Sequence, residues 1–204
     1  MRIFFCFLFL IGFGFTKIHS QLFDSISQSF LYKPKIILKF DTRNSFITNQ
    51  YAKFNGLKIG LSYHNTSKIG AGYHWMKQRL IKSNSVEVDS NYLHFGYGVL
   101  FYEYNFYKSK HWNAEIPVQF GIGRAAYSNS NLGGTFAKTW MVIYEPAMTI
   151  EYRFLKYFGI GGGVGFRLAI KTNNEIKEKF TAPEYILRFK IYFGDIYKEQ
   201  ILKE

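Results

Sequence analysis

Charged side chains recur at alternate positions in several apolar segments of the chain. Residues two apart on a β-strand lie on the same face, so these charges would share one enclosed space. Unpaired charges are costly away from water, so we expect them to pair. The predicted network consists of Lys39, Asp41, Lys58, Glu115, Glu145, Glu151, Arg153, Arg167, Arg188 and Lys190, with Lys35 and Arg43 on the same face.

Basic residues outnumber acidic residues in this set, and two interpretations follow. The side chains either fill the space as structural salt bridges or line a narrow path that favours anions. Glycines on the same face of the stretch 159–165 would leave room for the long arginine and lysine side chains.

Other chemistry is poorly represented. His74, His94 and His111 lack the close spacing of metal ligands. The glycine-rich stretch 159–165 lacks the Lys-Ser/Thr ending of a phosphate-binding loop. We therefore expect no catalytic residues, no metal site and no cofactor.

Alternation of period two predicts the elements that carry these residues. Apolar and aromatic side chains alternate with charged, small or glycine residues in eight segments: 36–40, 57–63, 69–75, 93–101, 114–122, 142–154, 158–170 and 185–193. In the fourth segment we expect Leu93, Phe95, Tyr97, Val99 and Phe101 on the apolar outer face. The change of phase near Glu103 suggests a bulge or the end of the apolar band.

The connections between these segments alternate in length. Long gaps at 43–55, 78–91, 127–140 and 172–183 interleave with short gaps at 65–67, 107–111 and 155–156. Several segments reach the roughly 9–11 residues that a tilted membrane strand needs. Long outer loops and short periplasmic turns are typical of outer-membrane barrels. The sequence thus predicts an all-β, eight-stranded antiparallel transmembrane up-and-down barrel, whereas a soluble sandwich would leave its aromatic face exposed.

Composition agrees with this fold. The 204 residues include 22 Phe, 16 Tyr and 3 Trp, which excludes a disordered chain, and a single cysteine excludes an internal disulfide. We expect many of the aromatics to form interfacial girdles. The formal net charge is +12, but the basic residues are spread along the chain, so we expect no nucleic-acid partner.

The N-terminus resembles a secretory signal. Met1-Arg2 precedes a thirteen-residue apolar run at 3–15, and Ser20 is a suitable small residue before a cut. Loss of Arg2 and Lys17 would lower the net charge from +12 to +10. We predict a signal peptide at 1–20, an N-terminal periplasmic segment at 21–34, a barrel at 35–194 and a polar tail at 195–204.

The alternating pattern resembles the small outer-membrane β-barrel proteins of Gram-negative bacteria, especially the plain barrels common in Bacteroidetes. Aromatic-glycine stretches carry the resemblance, as in His94-Phe95-Gly96-Tyr97-Gly98 and in residues 159–166. The resemblance implies location in the outer membrane, contact with its lipid and lipopolysaccharide, and insertion by the barrel-insertion machinery. Such barrels often end on an aromatic residue, whereas here a polar tail follows Phe193.

We expect a non-enzymatic barrel with a structural or surface-interaction role, in which Arg124 contacts a lipid phosphate. The loops, rich in Asn and Ser, indicate no particular extracellular ligand. One alternative is a narrow channel or transporter for small solutes, including anions. Another is a barrel enzyme that modifies lipid A, whose His-x-Ser pair is only approximated by His64-Asn65-Thr66-Ser67.

Overall fold

A computed structural model describes residues 23–48, 50–76, 80–82, 91–129, 135–193 and 195. A short helix, α1, covers residues 23–29. Nine strands follow: β1 Lys35–Ile47, β2 Gln50–Tyr63, β3 Ser67–Met76, β4 Leu80–Lys82, β5 Asn91–Lys108, β6 Trp112–Asn129, β7 Thr135–Arg153, β8 Phe158–Lys171 and β9 Ala182–Ile191.

The strands form one closed antiparallel barrel. Sequential strands pair with each other except for β3 and β4, β9 pairs with β1, and β3 pairs with β5 to complete the ring. The three residues of β4 also pair with β5, beyond the end of β3, so β3 and β4 together occupy one position. The barrel therefore has eight strand positions, as the sequence predicts, and it closes through the pairing of β3 with β5.

The two ends of the barrel differ. At one end, called the turn end, lie the tight connections at 64–66, 109–111 and 154–157, together with α1 and Asp195. The strand ends that flank 48–49, 83–90 and 130–134 lie at the other end, called the loop end, together with the connection 172–181. In the described residues, no helix is long and apolar enough to cross a membrane.

The predicted loop at 43–55 is wrong. β1 and β2 stay paired up to Ile47 and Gln50, so most of that range is strand. The predicted loop at 127–140 is similarly too long, because β6 extends to Asn129 and β7 begins at Thr135. Strand pairing continues here beyond the apolar belt, where polar outward residues such as Asn44 no longer give an apolar alternation.

Alternate residues face outward and inward, and the apolar face is outward in seven of the eight predicted segments. Exposed side chains such as Ile59, Phe120 and Ile160 form an apolar belt. Aromatic residues flank it, with Trp140 toward the loop end and Trp112 toward the turn end. A belt of this kind is stable in lipid and unfavourable in water.

The prediction for the fourth segment is wrong. In β5 it is the inward row that is apolar, and its buried side chains are Leu93, Phe95, Tyr97, Val99 and Phe101. Glu103 continues this row and is fully buried. Its charge lies on the same face as the apolar residues and therefore identifies that face as the inner one. The strand bulge lies beyond it, between Asn105 and Tyr107. Outward positions of β5 include Gly96, Gly98 and the exposed Leu100.

The predicted signal peptide at 1–20 and the tail beyond Asp195 lie outside the described residues. In the segment predicted at 21–34, α1 and the turn after it contact the barrel, since the Ser29 hydroxyl donates to Ser67 Oγ over 2.8 Å. The domain boundaries stay predictions.

Candidate functional site

The lumen is filled by charged side chains in its turn-end half and middle. The inward rows of β1–β3 and β5–β9 contribute to this charge network, because the pleat points every second side chain into the barrel. Seven cations and six carboxylates are buried there: Lys39, Arg43, Lys58, Lys68, Arg167, Arg188 and Lys190 with Asp41, Glu103, Glu115, Glu145, Glu151 and Glu184.

Glu115 on β6 is the centre of the part nearest the turn end. Its carboxylate pairs with Lys68, with Lys190 at 3.0 Å and with Arg188 at 3.3 Å. Lys190 also pairs with Glu151. Because the partners come from β3, β6, β7 and β9, these ion pairs cross the lumen and join strands that are not neighbours in the sheet.

Asp41 on β1 is the centre of the middle part. It accepts hydrogen bonds from Arg188 Nε at 2.9 Å and pairs with Lys58 at 2.7 Å. Arg43 lies 3.6 Å from the same carboxylate. The guanidinium of Arg188 therefore links this part to Glu115, since it contacts both acids.

Glu145 on β7 and Glu184 on β9 form the part nearest the loop end. Glu145 accepts from Arg167 Nε at 2.6 Å and from the Tyr97 hydroxyl at 2.8 Å. Arg43 Nη1 donates to Glu184 at 2.7 Å and lies 3.3 Å from Glu145. Two guanidinium groups thus bridge two carboxylates, which is the geometry in which buried charges are best compensated.

An apolar plug closes the lumen beyond this layer, at the loop end. Its buried side chains include Phe54 from β2, Phe95 from β5, and Ile176 and Phe180 from the connection 172–181. The Phe95 ring lies 5.1 Å from the Phe180 ring and 5.6 Å from the Phe54 ring. The connection is also tied to the β1–β2 turn, because the Lys179 amide donates to Thr48 Oγ1 at 3.0 Å. The segment 172–181 therefore lies over the mouth of the barrel.

The predicted network residues do not all lie in the same place. Nine are buried in the lumen: Lys39, Asp41, Lys58, Glu115, Glu145, Glu151, Arg167, Arg188 and Lys190. Arg153 lies instead at the turn-end rim, where its Nη2 donates to Asp195 at 2.7 Å, and Lys35 pairs with the same carboxylate. Arg124 is exposed on the outer face of β6, beside Trp140 on β7.

Three charged members of the network were missed by the sequence argument. Lys68 precedes the third alternating segment directly, Glu103 stands at a change of phase, and Glu184 follows a long gap. All three are fully or almost fully buried. Alternation could have found Lys68 and Glu184, because each lies two residues from an inward position of its strand, Gly70 and Ile186. Glu103 is in phase with Phe101, which was expected to face outward.

The lumen's charges are therefore nearly balanced, seven to six among the described buried residues. The expected excess of basic residues arose because two lumenal acids were missed and because Lys35 and Arg153 lie at the rim. In the described part of the chain, no group of three or more His, Cys, Asp or Glu residues is arranged to hold a metal.

The closed barrel resembles solved structures of outer-membrane proteins. Neisserial surface protein A superposes with a TM-score of 0.61 at 10% identity, covering 77% of this chain and 96% of that one. The N-terminal barrel domain of Pseudomonas aeruginosa OprF gives a TM-score of 0.52 at 11% identity, covering 78% and 98%. The sequence matches no protein-family model and no curated protein.

The fold is that of a small outer-membrane barrel. With its exposed apolar belt, the closed barrel lies in an outer membrane, in contact with lipid. In such barrels short turns face the periplasm and longer loops face outward. By this rule we expect the turn end to be periplasmic and the apolar plug to lie at the extracellular end.

Proposed function

We propose that this chain is a non-conducting, non-enzymatic outer-membrane barrel with a structural or surface-interaction role. The observation that carries the proposal is the filled lumen: ion pairs occupy its middle and periplasmic half, and the apolar plug closes its extracellular mouth. An eight-stranded barrel is only wide enough for side chains to fill it. What remains available for interaction is the outer surface and the loops.

A channel for anions is less well supported by the lumen. Such a path needs unpaired positive charge along its length, whereas each of the seven buried cations pairs with at least one carboxylate. An ion crossing the lumen would have to break these pairs and displace the rings of the plug. Both steps are costly in a space that excludes water.

A lipid A-modifying activity is also less well supported. His64 lies in the β2–β3 turn at the periplasmic end, and its ring packs 4.2 Å from the Tyr32 ring. Ser67 Oγ instead lies within hydrogen-bond distance of Ser29 and Tyr102. A nucleophile needs a base within reach, and among the described residues no hydrogen bond joins the His64 ring to the hydroxyl of Thr66, which holds the second position of the His-x-Ser spacing, or to that of Ser67.

Planar-bilayer recording tests the proposal. We expect purified protein to insert without steady current steps, whereas anion-selective steps would favour the channel. Mass spectrometry of lipid A after expression in a suitable host tests the enzyme alternative, and we expect unchanged lipid A.

We further propose that Arg124 binds a phosphate of lipopolysaccharide. Its side chain points outward in the extracellular part of β6, and Trp140 is its register partner on β7. Lys138, which is exposed two residues before Trp140, adds a second cation nearby. Replacing Arg124 with glutamine should weaken lipopolysaccharide binding, and the same change at Lys110, in a periplasmic turn, is the matched control.

We also propose that the chain is a plain barrel of the Bacteroidetes type, supported by its aromatic-glycine strands.

A further inference from the structure

A basic cleft lies at the periplasmic end, where the N-terminal segment meets the barrel. Its volume is about 490 Å³. The side chains that line it are Tyr32, Lys33, Lys35, His64, Asn65 and Lys108. Three of these six are lysines, and no carboxylate is among the described residues that line the cleft.

The N-terminal wall of the cleft is held in place by three contacts. Ser29 is almost fully buried and hydrogen-bonds to Ser67 at the start of β3. The Phe30 ring lies 4.8 Å from Tyr63, the last residue of β2. The Tyr32 ring lies 4.2 Å from the His64 ring. The segment therefore packs on the barrel, and the cleft is part of the fold.

The lysines of the cleft are only partly compensated. Lys35 pairs with Asp195 at 2.5 Å, but the same carboxylate also pairs with Arg153 at 2.7 Å. Lys108 Nζ donates to the His64 carbonyl at 3.3 Å, which leaves its charge without an acid partner among the described residues. Lys33 is exposed and makes no ion pair within the described chain. The cleft thus attracts an anion.

Apolar side chains surround the same region. Leu31, which directly precedes Tyr32 of the cleft wall, is 85% exposed, and Phe30 is 44% exposed. Phe30 packs on Tyr63, which belongs to the outward, lipid-facing row of β2. Exposed apolar residues beside lysines at a membrane surface are typical of a segment that lies in the interface.

We propose that this cleft binds the phosphate of a phospholipid in the periplasmic leaflet. The lysines contact the phosphate, and the acyl chains extend along the outer face of β2 beside Tyr63 and Phe30. A soluble phosphate compound would satisfy the lysines equally well. It would make no use of the exposed apolar side chains, which is why the lipid is the favoured source.

Native mass spectrometry of the full chain in detergent, titrated with phosphatidylglycerol, tests the proposal. Two variants of equal charge are compared: K33Q/K108Q in the cleft and K110Q/K156Q in neighbouring periplasmic turns. A lysine near a membrane surface contributes about 1 kcal/mol to binding anionic lipid, so the cleft pair should weaken binding about 30-fold. The control pair should change it less than about threefold, since neither lysine lines the cleft. Heat-modifiable migration shows that each variant is folded.

Inorganic phosphate and glycerol phosphate distinguish the lipid from a soluble ligand. Neither should displace the lipid at millimolar concentration, and a phosphatidylglycerol with a photoreactive headgroup should crosslink to peptides containing 31–35, 64 or 108. Equal weakening by both variant pairs would overturn the proposal, because it would indicate a general surface charge. Displacement by the soluble phosphates would overturn the phospholipid as the ligand.

Discussion

Removing the Glu115 carboxylate should destabilise the barrel more than any single change of charge at its rim. Glu115 pairs with three buried cations, Lys68, Lys190 and Arg188. In the E115Q variant Lys190 keeps Glu151, and Arg188 keeps Asp41. Lys68 has no other ion pair among the described residues, so one buried ammonium loses its compensation.

The expected cost follows from that single uncompensated charge. Breaking a buried pair by removing one partner typically costs about 3–5 kcal/mol. Glutamine keeps the volume and one acceptor oxygen, so the lower part of this range, about 3 kcal/mol, is expected. K68M should cost less, about 1 kcal/mol, because Glu115 retains Lys190 and Arg188 in that variant.

The assay is equilibrium unfolding in urea with the protein folded in lipid vesicles. The double variant E115Q/K68M removes both partners, and it should be more stable than E115Q by about 1–2 kcal/mol. With the costs of the single variants above, this corresponds to a coupling of about 2–3 kcal/mol, within the range seen for contacting residues. A loss below about 1 kcal/mol in E115Q would refute the charge network as a stabilising element. A double variant less stable than E115Q would refute the pairing of Lys68 with Glu115.

Two other predictions concern glycines and the periplasmic rim. A Cβ at Gly70 would overlap backbone atoms of β2, whereas at Gly98 the nearest atom would lie 4.0 Å away. Unfolding measurements should therefore show G70A less stable by about 1–3 kcal/mol and G98A almost unchanged; equal effects would contradict the register. At the rim, burial opposes ionisation of Asp195, but hydrogen bonds from Lys35 and Arg153 outweigh it and hold its pKa below the ordinary value. A lowered pKa stabilises the fold at neutral pH, and the benefit is lost as the pH falls through that pKa. D195N should cost up to about 1 kcal/mol at pH 7, and this cost should shrink as the pH falls below the ordinary carboxylate pKa of about 3.9; a pH-independent difference would contradict the ion pairs.

The sequence predicted the barrel because alternation, strand length and loop spacing all depend on the same lipid-facing belt. Where the belt ends, the prediction fails. Phe46 and Tyr51 are register partners in a hairpin that was predicted as loop, because its other outward residues are polar. Strand pairing depends on backbone hydrogen bonds, which leave no pattern of their own in the side chains.

The orientation of β5 was mispredicted for a related reason. An apolar row indicates burial, and lipid and a plugged lumen both bury apolar side chains. Only the charge of Glu103, in phase with Phe95 and Tyr97, distinguishes the two faces. The contribution of Ile176 and Phe180 to the plug could not be predicted, since it depends on how a loop folds over the mouth.

The central claim is that the inward row of β5 faces a lumen closed to the outside medium. Single cysteines test it most directly, in a chain with Cys6 changed to serine. Val99→Cys is placed in the lumen, Leu100→Cys in the lipid-facing belt and Lys138→Cys on the exposed extracellular part of β7.

Each cysteine is treated, in intact outer membranes, with a membrane-impermeant thiol reagent and separately with a lipid-soluble one. Lys138→Cys should react with the first and Leu100→Cys with the second, whereas Val99→Cys should react with neither until the protein is unfolded. Rapid reaction of Val99→Cys with the impermeant reagent would show an open lumen, and reaction with the lipid-soluble reagent at the rate of Leu100→Cys would show that this row faces lipid. Either result would contradict the account.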